Sequence, residues 1–154
     1  MYRMYKIFPK LKNPIKEYAT IFTIPEFLLQ FDGCSKGNPG LAGAGAVIFN
    51  YEKEIWGESR FIGAKSTNNE AEYNGLIMGL EKAIDLGIKD LSVEGDSLLV
   101  IKQMTGEYKV KSETLHKLYN KAKGLEKKFD IITFSHIYRT NNKRADELSN
   151  LCLI

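Results

Sequence analysis

The chain is poor in the residues that build zinc sites, disulfide frameworks and histidine-dependent catalysis. It has two cysteines, Cys34 and Cys152, and two histidines, His116 and His136, in 154 residues. The cysteines show neither metal-ligand spacing nor a disulfide pattern, so reduced thiols in an intracellular compartment are the simplest account. Two histidines support no serine–histidine–acid constellation; His116 falls among lysines and is expected at the surface, and zinc is disfavoured. No apolar run is long enough to span a membrane, and no charged-then-apolar leader is present, so no membrane partner is expected. The glycine-rich stretch 37–45 lacks the Gly-Lys-Ser/Thr ending of a P-loop, which argues against a nucleoside triphosphate site. Three of the four prolines, Pro9, Pro14 and Pro25, fall in the first 25 residues.

What remains is an ordinary globular composition, 44% hydrophobic and 27% charged, enough for one domain with a real core. Residues 1–25 are expected to form a basic N-terminal extension carrying Arg3, Lys6, Lys10, Lys12 and Lys16, with the domain proper spanning 26–154. An intracellular location, cytoplasmic or nuclear, is expected. The acid-poor start leaves an organelle open. The net charge of +3 does not demand a polyanionic partner, but between Lys102 and Lys128 eight lysines face only Glu107, Glu113 and Glu126. Such a stretch is either a solvated helix face or a phosphate contact. No obligate protein partner is evident, and a monomer is expected.

Phe27 to Asp32 has the pattern of a buried strand, followed by the turn-rich run Lys36-Gly37-Asn38-Pro39-Gly40. Ala44 to Tyr51 and Ile55 to Ile62, separated by Glu52-Lys53-Glu54, form an antiparallel pair. Thr67 with Glu70 three residues on is a capping box for a helix running to about Gly87. Leu91 to Glu94 is a short strand, Ser97 caps a short helix that stops at Gly106, and Glu113 to Lys128 is amphipathic. Ile131 to His136 is a strand, and a final helix carries Asp146 and Leu148. Hairpin strands followed by strand–helix units imply an α/β fold, a mixed sheet with helices on both faces.

Four acids stand out against this background. Asp32 and Asp96 each close an apolar strand where the chain turns, the place where open α/β sheets put their ligand sites. Glu72 shares a helical stripe with Leu76, Gly79, Leu80 and Ala83, so it faces the core, where an unpaired carboxylate is costly. Glu70 has a sufficient role in the cap. Carboxylates crowded together raise one another's pKa, and an oxygen-preferring Mg²⁺ or Mn²⁺ removes that penalty. Taken singly, Asp96 is equally well explained as a helix cap or turn aspartate.

In order along the chain, these segments resemble type 1 ribonuclease H over approximately residues 26–152. The resemblance rests on the run Asp32-Gly33-Cys34-Ser35-Lys36-Gly37-Asn38-Pro39-Gly40, on Thr67-Asn68-Asn69 followed by Glu72, on Gly95-Asp96-Ser97, and on Asn142 followed by Ala145-Asp146 and Leu148. It is closest to the compact archaeal and reverse-transcriptase-like branch. It implies the ribonuclease H-like fold, a five-stranded mixed sheet with three antiparallel strands and two parallel ones. It implies Asp32, Glu72, Asp96 and Asp146 as ligands of two divalent ions, one ion activating water and the other stabilising the departing 3′ oxygen. The partner implied is an RNA/DNA hybrid, with Gly33, Ser35, Asn38, Asn68 and Asn69 lining its groove. The activity implied is hydrolysis of the RNA strand to 5′-phosphate and 3′-hydroxyl products, with Arg139, matching the compact branch, or His136 assisting.

Three departures bear on the substrate. Leu98 stands where relatives often carry glutamine, no basic protrusion is inserted between Gly106 and Ser112, and a longer histidine-containing loop before Asp146 is lacking. Two other functions fit the same residues: a hybrid- or double-stranded-RNA-binding module without turnover, and another nuclease of the same superfold. Asn38 as a turn former, Asn68 at a helix start and Arg139 in an ion pair also have purely structural explanations.

Overall fold

The computed structural model describes residues 24–154, together with the backbone of a short antiparallel ladder between Lys6–Ile7 and Ile21–Phe22. The extension expected over 1–25 otherwise lies almost wholly outside the described residues.

Strands β1 (Phe27–Lys36), β2 (Gly40–Asn50) and β3 (Lys53–Ser66) form an antiparallel meander, and β4 (Asp90–Gly95) and β5 (Ile131–His136) add in parallel. The sheet order is β3-β2-β1-β4-β5, a five-stranded mixed sheet as expected. Two strands run longer than their apolar patterns. The expected end of β1 at Asp32 moves to Lys36, because Gly33 through Lys36 stay paired with Ala44 through Leu41 and the turn shrinks to three residues. β3 extends on both sides of Ile55 to Ile62, and its register against β2 shifts between Gly40 and Gly43 and again at Ile48/Phe49. Bulges of this kind break the alternation from which strand ends are inferred.

Helix α1 (Asn68–Asp85) begins at the expected capping box: Thr67 Oγ1 accepts from the Glu70 amide at 3.2 Å and Glu70 Oε2 accepts from the Thr67 amide at 2.8 Å. Its core stripe, Glu72, Leu76, Gly79, Leu80 and Ala83, is buried throughout. Gly87, at φ 74°, turns the chain out of the helix in a conformation that a side chain would disfavour. Ser97 caps α2 (Leu98–Met104), and Ser112 caps α3 (Glu113–Glu126). A 3₁₀ turn at Arg139–Asn141 leads into α4 (Lys143–Leu151).

Strand alternation splits the packing into two layers. Leu29, Phe31, Ala46 and Ile48 meet Tyr73, Leu76, Leu80 and Met104 on one face of the sheet, whereas Val47 meets Ala145 and Leu148 on the other. Each fully buried large side chain of this kind contributes roughly 1.5–3 kcal/mol relative to exposure. α1 lies unusually close to the sheet. A Cβ at Gly33 would stand 2.2 Å from the Glu72 amide nitrogen, and one at Gly75 would stand 2.6 Å from the Asp32 carbonyl oxygen. The two glycines let the helix backbone rest on β1 beside Asp32. Among the described residues, no helix is long and apolar enough to cross a membrane.

Candidate active site

Parallel pairing places Phe31 beside Gly95, so Asp32 and Asp96, the next residues, leave the adjacent carboxyl ends of β1 and β4 together. The glycine contact brings the first turn of α1, and with it Glu72, over the same point. One carboxylate oxygen from each of Asp32, Glu72 and Asp96 lies within 4.8 Å of the others. Asp32 is 5% exposed and Glu72 8%, so two of the three carboxylates are largely withdrawn from water.

Such crowding is costly when the acids are charged. Burial, offset in part by hydrogen bonding with Glu72 and raised further by Asp96, pushes the Asp32 carboxyl up to about 7. Glu72 is raised well above its ordinary value, first by burial and then by the charge of Asp32. Asp96 is raised too, chiefly by burial, with Asn142 and Arg139 drawing it partly back. Glu72 Oε2 is buried with no hydrogen-bond partner among the described residues. An all-oxygen donor set with a buried, unpartnered carboxylate oxygen is what a hard divalent cation satisfies, so the residues fit a metal of that class.

The trio opens into a cleft of about 450 Å³ that is also lined by Gly33, Asn68, Asn69, His136, Arg139 and Asp146. Asp146 stands outside the tight trio, in the first turn of α4, with Oδ1 3.2 Å from Arg139 Nη2. His136 Nε2 is 3.2 Å from the Asp96 carbonyl oxygen. Ser35 and Asn38 do not line the cleft. They tie the β1–β2 turn to the start of α1: Asn38 Oδ1 accepts from the Asn68 amide at 2.9 Å, Asn68 Oδ1 accepts from the Ser35 amide at 2.6 Å, and Ser35 Oγ donates to the Ser66 carbonyl at 2.7 Å.

Three contributors lie outside the expected site residues. Asn142 precedes α4 at the capping position, yet its side chain makes no capping bond; it is fully buried and donates through Nδ2 to the Phe31 carbonyl at 2.9 Å. Ser149, also fully buried, donates to the Asp146 carbonyl at 2.8 Å with its Oγ 3.4 Å from Asp32 Oδ2. Tyr138 lines the cleft and is 76% exposed. A polar residue four positions after Ala145, on the same helical face, was the available signal for Ser149. Asn142 belongs to the same segment as Asp146, but only the fold turns it inward.

The chain is similar to known proteins over most of its length. The family profile described as "Reverse transcriptase-like" matches residues 30–152. The chain is 43% identical over 124 residues to the "Bifunctional protein Rv2228c" of Mycobacterium tuberculosis, covering 80% of this chain and 34% of that protein. It is 41% identical over 123 residues to the "Ribonuclease HI" of Halobacterium salinarum, covering 80% of this chain and 62% of that one. The chain thus spans between one third and two thirds of the length of these relatives. Among solved structures, the N-terminal RNase H domain of rv2228c superposes with a TM-score of 0.80 at 41% identity, covering 82% of this chain and 92% of that one. LC11-RNase H1, solved in complex with an RNA/DNA hybrid, superposes at 0.76 with 37% identity, covering 81% and 94%.

Proposed function

This chain belongs to the ribonuclease H family, and from that premise we propose that it is a metal-dependent endoribonuclease cutting the RNA strand of RNA/DNA hybrids to 5′-phosphate and 3′-hydroxyl ends. The observation that carries the proposal is the convergence of Asp32, Glu72 and Asp96 within 4.8 Å at the carboxyl edge of the sheet. Mg²⁺, with Mn²⁺ as an alternative, suits this donor set, and Asp32, Glu72, Asp96 and Asp146 would hold a pair of ions. Bound there, such ions supply Lewis-acid activation of water and neutralise charge on the phosphate.

The protein's own groups do the rest. Asn68 and Asn69 present neutral amides beside the acids, suited to 2′-hydroxyls and minor-groove base edges, which they contact without reading sequence. Gly33 leaves its stretch of cleft wall free of a side chain. Ser35 and Asn38 hold Asn68 in place through the hydrogen bonds at the turn. Arg139, largely exposed beside Asp146, offers a cation to an approaching phosphate, and His136 stands on the same wall to assist product release. With no insertion in the 106–112 loop, the grip on the duplex rests on the groove, on the lysines between Lys111 and Lys128, or on the basic N-terminal extension. A monomer is the state this reading expects.

The test is a panel of labelled RNA/DNA, RNA/RNA and DNA/DNA duplexes with Mg²⁺, Mn²⁺ or EDTA, and Asp32→Asn as control. Cleavage confined to the hybrid's RNA strand, absent in EDTA and in the variant, is the expected result. Binding without cleavage under every metal condition overturns the enzyme assignment, and cleavage of DNA/DNA duplexes overturns the substrate.

A further inference from the structure

The sulfurs of the two cysteines, 118 positions apart in sequence, both approach the carbonyl oxygen of Ser149 in α4. We propose that Cys34 and Cys152 form a reversible internal disulfide under peroxide, an oxidative modification site that fastens α4 to β1.

Three observations converge on the pair. Cys34 Sγ lies 3.5 Å and Cys152 Sγ 3.9 Å from the same atom, the carbonyl oxygen of Ser149. Cys34 pairs directly with Gly43 across the β1–β2 ladder, so any side chain at 43 would stand beside it on the same face of the sheet. A Cβ built at Gly43 would be 2.6 Å from Cys152 Sγ and 2.3 Å from the Ser149 oxygen. The glycine therefore leaves the space in which the Cys152 sulfur sits, in the cross-strand position facing Cys34. Directly opposed Cβ atoms in an antiparallel pair are about 4.5–5.5 Å apart, so the Cys152 sulfur, 2.6 Å from where a Gly43 Cβ would stand, lies within side-chain reach of Cys34. Cys152 follows the last helical residue of α4, so side-chain rotation and a small adjustment of that turn can close the remaining gap. Both residues are free thiols of intermediate exposure, and Cys34 lines the open cleft, which gives a small oxidant access.

The chemistry balances with one peroxide. One sulfur attacks hydrogen peroxide, taking up a hydroxyl as sulfenic acid and releasing one water. The second thiol displaces that hydroxyl as a second water, and the S–S bond forms. Two thiols are oxidised by two electrons and the peroxide is reduced by two. A dithiol reductant reverses the step and is itself oxidised to its disulfide. Because the bond closes a long loop, the oxidised chain should unfold about 5–10 °C above the reduced one.

The experiment treats the folded chain with stoichiometric hydrogen peroxide, blocks remaining thiols with an alkylating reagent, and measures intact mass and tryptic peptides without reduction. The expected product has lost two hydrogens, takes no alkyl group, and yields the Cys34 and Cys152 peptides joined; dithiothreitol restores two alkylatable thiols. Cys34→Ser and Cys152→Ser should each abolish the joined peptide and the rise in unfolding temperature. Two thiols that both remain alkylatable, sulfinic acid as the end product, or a disulfide between two chains would each overturn the proposal. Peptide mapping of the unsubstituted chain decides the matter even where a serine variant folds poorly. None of these readouts depends on cleavage activity, so the result stands apart from the proposed function.

Discussion

Asn142 Nδ2 donates to the Phe31 carbonyl oxygen across 2.9 Å, fastening the start of α4 to the residue immediately before Asp32. Both groups are fully buried, and neither finds water if the bond is cut. Asn142→Ala leaves that carbonyl unsatisfied and removes the amide that draws Asp96 back toward its ordinary pKa. A loss of about 1–3 kcal/mol in unfolding free energy is expected, read by urea titration. Asn142→Asp should cost more, because it adds a buried carboxylate next to an acidic cluster. An alanine variant as stable as the parent would show that α4 is held by Leu148 and Ala145 alone.

The acidic cluster sets the pH dependence of the metal-free protein. Asp32 is pushed from 3.8 to about 7 and Glu72 is raised as well, so between those values the folded state binds more protons than the unfolded state. Stability therefore falls as pH rises from about 4 to about 7. In EDTA, the gain in stability of Asp32→Asn over the parent should grow from pH 5 to pH 8, approaching an upper bound on the order of 4 kcal/mol. Millimolar Mg²⁺ at pH 8 should restore much of the parent's loss and do little for the variant. Thermal unfolding across this grid checks both signs. A parent that gains stability relative to the variant on going to pH 8 in EDTA would contradict the burial argument.

Gly75 is expected to tolerate no side chain. The Asp32 carbonyl oxygen that a Cβ would meet at 2.6 Å is backbone in the central strand, and the Gly45 carbonyl at 3.1 Å leaves no sideways escape. Gly75→Ala must lift α1 off the sheet, at about 3 kcal/mol or more. Lifting the helix also carries Glu72, one turn earlier, away from Asp32. The Mg²⁺ concentration for half-maximal activity should then rise several-fold in whatever fraction folds. Unchanged metal dependence would show that Glu72 is positioned by something other than this contact.

Much of this was legible in the chain, for reasons that differ by residue. Thr67 and Glu70 announce a helix start because the capping box is local, and Glu72 separates from Glu70 because helical periodicity sends one inward and the other to the cap. Asp32 and Asp96 mark strand ends because burial requires the apolar runs before them. The extension of β1 past Gly33 was not legible, since pairing with Ala44 through Leu41 is a property of the partner strand. Nor was the inward turn of Asn142, whose sequence position suits an ordinary cap. The approach of the Cys34 and Cys152 sulfurs to one Ser149 carbonyl depends on Gly43 in a third segment, which no spacing rule connects to either. Ser35 and Asn38 illustrate the opposite case, as their polar atoms serve the turn rather than the cleft wall.

Asp96 offers a clean separation of chemistry from binding. It is the most exposed of the trio, at the very start of the α2 segment, and its conversion to asparagine removes charge without changing shape. Asp96→Asn is expected to lower the cleavage rate by roughly 10³-fold or more, the scale of losing a preorganised electrostatic contact at the reacting phosphate. Hybrid affinity measured in Ca²⁺ or EDTA should stay within about threefold, because on the proposed function the grip on the duplex comes from phosphate contacts elsewhere. A variant that loses binding and its circular dichroism spectrum together would reassign Asp96 to folding.

Arg139 has two roles open to it, and salt separates them. Its guanidinium pairs with Asp146 at 3.2 Å, but its side chain is 75% exposed, and an ion pair in that setting contributes little to stability. Arg139→Ala should therefore change the unfolding free energy by no more than about 0.5 kcal/mol. If the guanidinium also meets a phosphate of the bound hybrid, its removal deletes one charge contact and one released counterion. The slope of log affinity against log salt should then become shallower by about one, with a uniform loss of affinity across substrate sequences. If it serves Asp146 alone, the salt slope is unchanged and the loss appears in kcat and in the Mg²⁺ requirement. Arg139→Lys discriminates further, since a point charge keeps the counterion effect while losing the planar geometry of a guanidinium.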